Sequence, residues 1–155
     1  MFLNYVIPLF FIINLSQGEK EFVRNYDKRG NLASEGWVQD ETKTDFWTFY
    51  HPNGTISRKG HYNNGKKCGY WYFYTHNNTL EKEGGYVNDM AHDWWILYNQ
   101  DGMIKVQYKQ GLKDGFALVY HNNRLKKAIR YDANKKTGEW TSYVEFKKDN
   151  PDVKF

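Results

Sequence analysis

Cysteine is almost absent from this 155-residue chain, Cys68 being the only one. An intramolecular disulfide is therefore excluded, as is a thiolate metal site within one chain. Alanine and leucine are scarce, and no segment beyond residue 18 carries apolar residues at i, i+3, i+4 and i+7, so no helix of ordinary length is expected. The histidines, His51, His61, His76, His92 and His121, form no HExxH pattern or other close ligand pair. Three of them follow a tyrosine at or near a turn, where a solvated side chain is the plainer role. Asp89, Asp93 and Asp101 lack a calcium-loop spacing, and Ser16, Ser34, Ser57 and Ser142 lie outside any nucleophile-elbow motif. No glycine cluster precedes a helix that could cradle phosphate. The chain is accordingly expected to be non-enzymatic, with no catalytic residue, no metal and no cofactor.

Charge is missing from the first 18 residues, MFLNYVIPLFFIINLSQG. This stretch is too short, and too interrupted by Pro8 and Asn14, to span a bilayer comfortably. Small residues Ser16 and Gly18 precede Glu19, the pattern of a secretory signal peptide over 1–18, although the basic start of such peptides is lacking. Export to the periplasm, the cell envelope or the exterior is the corresponding expectation. Beyond it, Lys and Arg interleave with Asp and Glu to a formal net charge of +4, which excludes neither an acidic partner nor a neutral one.

Aromatic residues are what the chain has in abundance, at 19%, with 13 Tyr, 10 Phe and 6 Trp. That bias favours strands. Five of these residues are consecutive, Tyr70 to Tyr74, and runs of this kind recur: each is closed by a tyrosine, at 26, 50, 74, 98, 120 and 143, a period of 22 to 24 residues. After the tyrosine comes a turn (Asn53-Gly54, Asn77-Asn78, Asp101-Gly102), then an aliphatic residue (Leu32, Ile56, Leu80, Ile104, Leu125), then a second aromatic (Tyr62, Tyr86, Tyr108, Tyr131). A second turn follows with two small or turn-forming residues four apart, as in Gly65/Gly69, Asp89/Asp93, Gly111/Gly115 and Asn134/Gly138. Two short segments between Asn-Gly-type turns make a hairpin. About six such hairpins over residues 19–144 predict an all-β, open antiparallel meander, an elongated curved single sheet, with residues 145–155 as a C-terminal tail or cap.

Side chains alternate between the faces of a strand, which separates the five rings into two sets. One face is nearly constant from unit to unit, with Trp47, Trp71, Trp95 and Trp140 as a structural ladder. Gly60 and Gly84 sit where a missing side chain lets a neighbouring Trp lie flat on the backbone. A buried indole removes about 150–250 Å² from water, several kcal/mol at ~25 cal/mol per Å² before entropy. The other face varies, and its large side chains Tyr70, Tyr72, Trp94, Ile96, Phe116 and Leu118 are the candidate contacts for a protein partner. The competing possibility is that the tail Glu145 to Phe155, or curvature of the sheet, buries this face too.

The units NNGKKCGYWYFY and KQGLKDGFALVY, each followed by an Asn-Gly-type turn and a Leu, together with DANKKTGEWTSY, resemble the MORN-repeat variant family over roughly residues 26–143. Bacterial members are commonly antitoxin components of the YwqK type. The resemblance implies stacked hairpins acting as a scaffold or partner-binding surface without catalysis, with a toxin as one partner class. Asp89 and Asp93 stand where both glycines belong in one unit, Asn78 and Asn123 replace turn glycines, and Ala117 replaces a Trp. Local irregularity is expected at each.

Two rival binding classes follow from the same residues. Gly-, Trp- and Tyr-rich repeats such as GYWYFY are similar to choline- and cell-wall-binding repeats, whose aromatic cages hold a ligand by cation–π contact. The Lys-rich turns, Lys66-Lys67, Lys126-Lys127, Lys135-Lys136 and Lys147-Lys148, offer peripheral contact with anionic lipid. Nucleic acid is not the expected partner, since a charged rim that blocks edge pairing accounts for the same lysines.

Overall fold

The computed structural model describes residues 18–153, so the expected signal peptide at 1–18 lies outside the described residues except for Gly18. Eleven strands follow one another in a single open sheet whose spatial order is the chain order. They are β1 (Glu21–Tyr26), β2 (Leu32–Gln39), β3 (Thr42–Tyr50), β4 (Ile56–Asn63), β5 (Lys66–Tyr74), β6 (Leu80–Val87), β7 (Met90–Asn99), β8 (Gly102–Lys109), β9 (Leu112–His121), β10 (Arg124–Asp132) and β11 (Lys135–Trp140). Every neighbouring pair is antiparallel, as the hairpin period requires.

The turns explain the period. Asp40-Glu41, Asn64-Gly65, Asn88-Asp89, Gln110-Gly111, Asn122-Asn123 and Ala133-Asn134 are two-residue connections with both residues at positive φ. That is the geometry whose twist matches the flanking strands. Four of these turns also bond backward to the preceding repeat: the amides of Gly65, Asp89, Gly111 and Asn134 donate to the carbonyls of Lys43, Lys67, Ala91 and Lys113 at 2.8–3.0 Å. The substituted glycines prove regular. Asp89 (φ 66°), Asp93 (φ 58°), Asn78 (φ 60°) and Asn123 (φ 59°) take the left-handed conformation that glycine holds in sister units, so the expected irregularity is absent there. Asp and Asn are the non-glycine residues best able to do this.

A left-handed residue four positions after each such turn residue sets the register. At Asp45, Gly69, Asp93 and Gly115 the strand carries two extra residues relative to its partner, as where Gly36 pairs with Trp47 but Trp37 with Thr44. An even insertion keeps side chains on their face. Trp47, Trp71 and Trp95 thereby fall in one file, 1%, 0% and 5% exposed. Each indole lies flat on a glycine of the preceding strand, Gly36, Gly60 or Gly84, where an added Cβ would stand 2.3 Å from the ring. Each indole N–H donates to backbone carbonyls: Trp47 Nε1 to Trp37 (2.8 Å), Trp71 Nε1 to His61 and Cys68 (3.2 Å each), Trp95 Nε1 to Gly85 (3.0 Å). Edge-on tyrosines fill the spaces, Tyr62 against Trp71 at 5.1 Å and Tyr86 against Trp95 at 5.0 Å.

The last unit departs from the pattern. Gly138 stays out of the left-handed region, and only one extra residue, Thr137, separates Tyr131↔Lys136 from Arg130↔Gly138. An odd insertion reverses the faces. Trp140, expected in the ladder, therefore stands on the opposite face, opposite Ala128, which in turn pairs with Leu118. The sixth hairpin is also incomplete. Tyr143, expected to close its run, instead begins the short helix α1 (Tyr143–Asp149). Phe146 of α1 is buried against Leu118 and Ala128, 5.4 Å from the Trp140 ring and 5.6 Å from Phe116. Asp149 accepts the Trp140 indole N–H at 2.8 Å, and Lys147 Nζ donates to the carbonyls of Pro151 and Val153, folding the tail back.

Candidate functional site

The variable face is built from both strands of each hairpin, because residues paired across an antiparallel ladder share a face. Trp94 and Ile96 on β7 pair with Gln107 and Lys105 on β8, and Phe116 and Leu118 on β9 pair with Arg130 and Ala128 on β10. All of these but Ala128, together with Gly115, Tyr120 and Val153, line a groove of about 770 Å³. Its form depends on Gly115, whose φ of 101° bulges β9 so that the Phe116 amide reaches Gln107 Oε1 at 2.7 Å. Asp45 and Asp93 make the equivalent bulges at φ 52° and 58°, but the φ of 101° at position 115 strains any side chain, and a Cβ there would also stand 2.3 Å from that oxygen and displace the Gln107 carboxamide.

Four of the six residues expected to contact a partner meet here: Trp94, Ile96, Phe116 and Leu118. Trp94, Ile96 and Phe116 are half-buried. Leu118 corrects the expectation of an accessible contact: at 3% exposure it is sealed beneath Phe146, because α1 covers this end of the face. The competing possibility of a covering tail is thus met at β9–β11. Tyr70 and Tyr72 lie outside the groove on β5. The pairings Tyr72↔Glu83 and Glu83↔Ile96 put one whole strand between them and Trp94. Tyr70 is 43% exposed and meets Tyr72 edge to face at 5.2 Å.

Sequence reasoning missed Lys105, Gln107, Tyr120, Arg130 and Val153. The signal was present in the second strand of each hairpin, where period-2 alternation puts Lys105 and Gln107 beside Ile96 and Trp94. Lys105 Nζ lies 5.5 Å from the Tyr120 ring centre and the Arg130 guanidinium 5.8 Å from that of Phe116. Among the described residues no carboxylate side chain lines the groove.

Carboxylates occupy the same face farther along. Glu83 Oε1 accepts the Tyr98 hydroxyl at 2.6 Å, and Glu35 Oε1 accepts that of Tyr50 at 2.7 Å. The Glu83 bond, with burial, pushes the Tyr98 phenol up to about 12; burial, with the Glu35 bond, does the same for Tyr50. Both phenols remain protonated donors throughout the physiological range. In the unit between them Lys59 replaces the glutamate and lies 5.6 Å and 5.7 Å from the rings of Tyr72 and Tyr74. Among the described residues no group of three or more His, Cys, Asp or Glu is placed to hold a metal ion. No described helix is long and apolar enough to cross a membrane.

No protein-family model matches the chain, and no curated protein is significantly similar to it.

Proposed function

We propose that the protein is a non-enzymatic repeat scaffold of the MORN-like kind whose variable face docks a protein partner, with the groove between β7 and β10 as the principal contact. The observation that carries this is the composition of the groove. Trp94, Tyr120 and Arg130 are the residue types that dominate binding energy at protein interfaces, and half-buried Ile96 and Phe116 add apolar surface beside them. They stand on paired strands, so little rotamer freedom remains to be lost on binding. With Lys105 and Arg130 at its wall and no carboxylate side chain among the described lining residues, the groove favours a segment presenting an apolar side chain beside an acidic one. An antitoxin- or immunity-like role in an exported or envelope-associated setting is the biological form of this proposal.

The choline-type cage is weighed down by two features. The ladder indoles are sealed on their glycines, and Lys59 already stands near the rings of Tyr72 and Tyr74, where a ligand ammonium would sit. The test is a capture experiment from envelope and secreted fractions of the source organism with three baits: the parent, Trp94→Ala/Ile96→Ala, and Tyr70→Ala/Tyr72→Ala, each shown to be folded. A polypeptide held by the parent and lost with the groove variant is the expected result. Loss with the tyrosine pair alone would move the site to β5, and equal retention by all three would remove this face from consideration.

A further inference from the structure

The opposite face carries its own charge pattern. On the four consecutive strands β3 to β6, Lys43 Nζ lies 4.7 Å from the Trp47 ring centre and the Arg58 guanidinium 4.1 Å from that of Phe49. Lys67 Nζ lies 5.4 Å from Trp71 and 4.9 Å from Tyr86, and Lys82 Nζ 5.0 Å from Phe73. All four residues are half-buried, their stems spread over the rings. Among the described residues none of the four is in an ion pair. Glu35 on β2 and Glu83 on β6 point to the variable face, Glu35 engaged by Tyr50 and Arg24 and Glu83 by Tyr98, while Glu81, exposed on β6, is in no ion pair among the described residues. Of the turn acids, Asp45 is paired to Lys20 at 2.7 Å, and Asp89 accepts the Lys67 amide at 2.9 Å while its charge partly offsets the local cations. The Lys67 ammonium is held below its ordinary range by burial first, then by Arg58, with Lys82 adding to it, so these heads repel one another.

Four half-buried cations outside any ion pair, three of which (Arg58, Lys67 and Lys82) repel one another, form a binding surface for negative charge. The spacing narrows the ligand class. Arg58 and Lys82 pair with Phe73 from its two sides, two strand spacings apart, or about 9.6 Å. A helix repeats a side-chain position at i and i+7, about 10.5 Å along its axis. A nucleic-acid duplex carries a phosphate every ~3.4 Å along each strand, which the track would leave largely unmatched. The ladder indoles Trp47 and Trp71, no more than 1% exposed, offer no surface for base or sugar stacking.

We propose that this face docks an acidic helical polypeptide segment, gripped by Lys43, Arg58, Lys67 and Lys82, on the side of the sheet away from the groove. The test is fluorescence anisotropy of a labelled helical peptide with glutamates every seventh position, beside the same peptide with glutamines. Arg58→Gln/Lys82→Gln should weaken binding at least about tenfold. Lys126→Gln/Lys135→Gln, which removes equal charge from exposed sites off the track, should change it less than about twofold. Lys43→Gln/Lys67→Gln replaces the first pair if that pair is not folded. Equal losses in track and control pairs, no binding by the parent, or tighter binding of oligothymidine, polyphosphate or anionic vesicles than of the peptide would each overturn the proposal.

Discussion

Replacing Gly60 with alanine should lower the free energy of unfolding by about 3 kcal/mol, read as a fall in the denaturant midpoint without a change in slope. The sign is diagnostic, because alanine in a strand interior ordinarily gains roughly 0.5–1 kcal/mol over glycine. Here the added carbon would stand 2.3 to 2.5 Å from three atoms of the Trp71 indole. The ring has nowhere to retreat, being wholly buried, with Tyr62 and Tyr86 packed edge-on at 5.1 Å and 6.1 Å. Moving it would also break its hydrogen bonds to the His61 and Cys68 carbonyls. Gly85→Ala in the neighbouring unit is the comparison: its new carbon meets only the His92 carbonyl oxygen, at 3.1 Å, and should cost clearly less.

Phe146→Ala should cost about 3–4 kcal/mol, from the lost ring and the cavity it leaves. Phe146 is 3% exposed and joins Leu118, Ala128, Phe116 and Trp140 beneath α1. The damage should stay local, since stacked repeats touch only their neighbours. Amide exchange should accelerate in β9 to β11 and remain at parental rates in β3 to β6. Uniform acceleration along the chain would mean that the sheet unfolds as one cooperative unit and that α1 is more than an end cap.

The architecture was legible because one repeat carried three signals at once: turn residues, period-2 alternation, and a glycine facing each indole. Gly60 and Gly84 could be matched to their indoles from sequence because Trp71 and Trp95 recur at the same offset. The end of the array was not legible. GEW at Gly138 to Trp140 looks like GYW at Gly69 to Trp71, yet a single backbone angle at the glycine decides whether one or two residues are inserted, and hence which face the Trp takes. Nothing in the tripeptide fixes that angle, and glycine is at home on either side. The helix was missed for a related reason: Tyr143 continues the tyrosine period, but among the described residues no strand follows it. Of the groove, the first-strand residues were found because they are large and variable. Lys105 and Arg130 were passed over as surface charge, and Leu118 was placed on the right face without the side chain that covers it.

The ladder holds together the sheet that carries both proposed contact surfaces, and its most direct test is the double-mutant cycle between Gly60→Ala and Trp71→Ala. Trp71→Ala alone should cost about 3–5 kcal/mol. With the indole gone, alanine at position 60 has nothing to displace, so its cost should vanish or turn into a small gain, a coupling of about 3 kcal/mol between the two sites. If alanine at position 60 costs the same in both backgrounds, the indole does not rest on that glycine, and the ladder is contradicted.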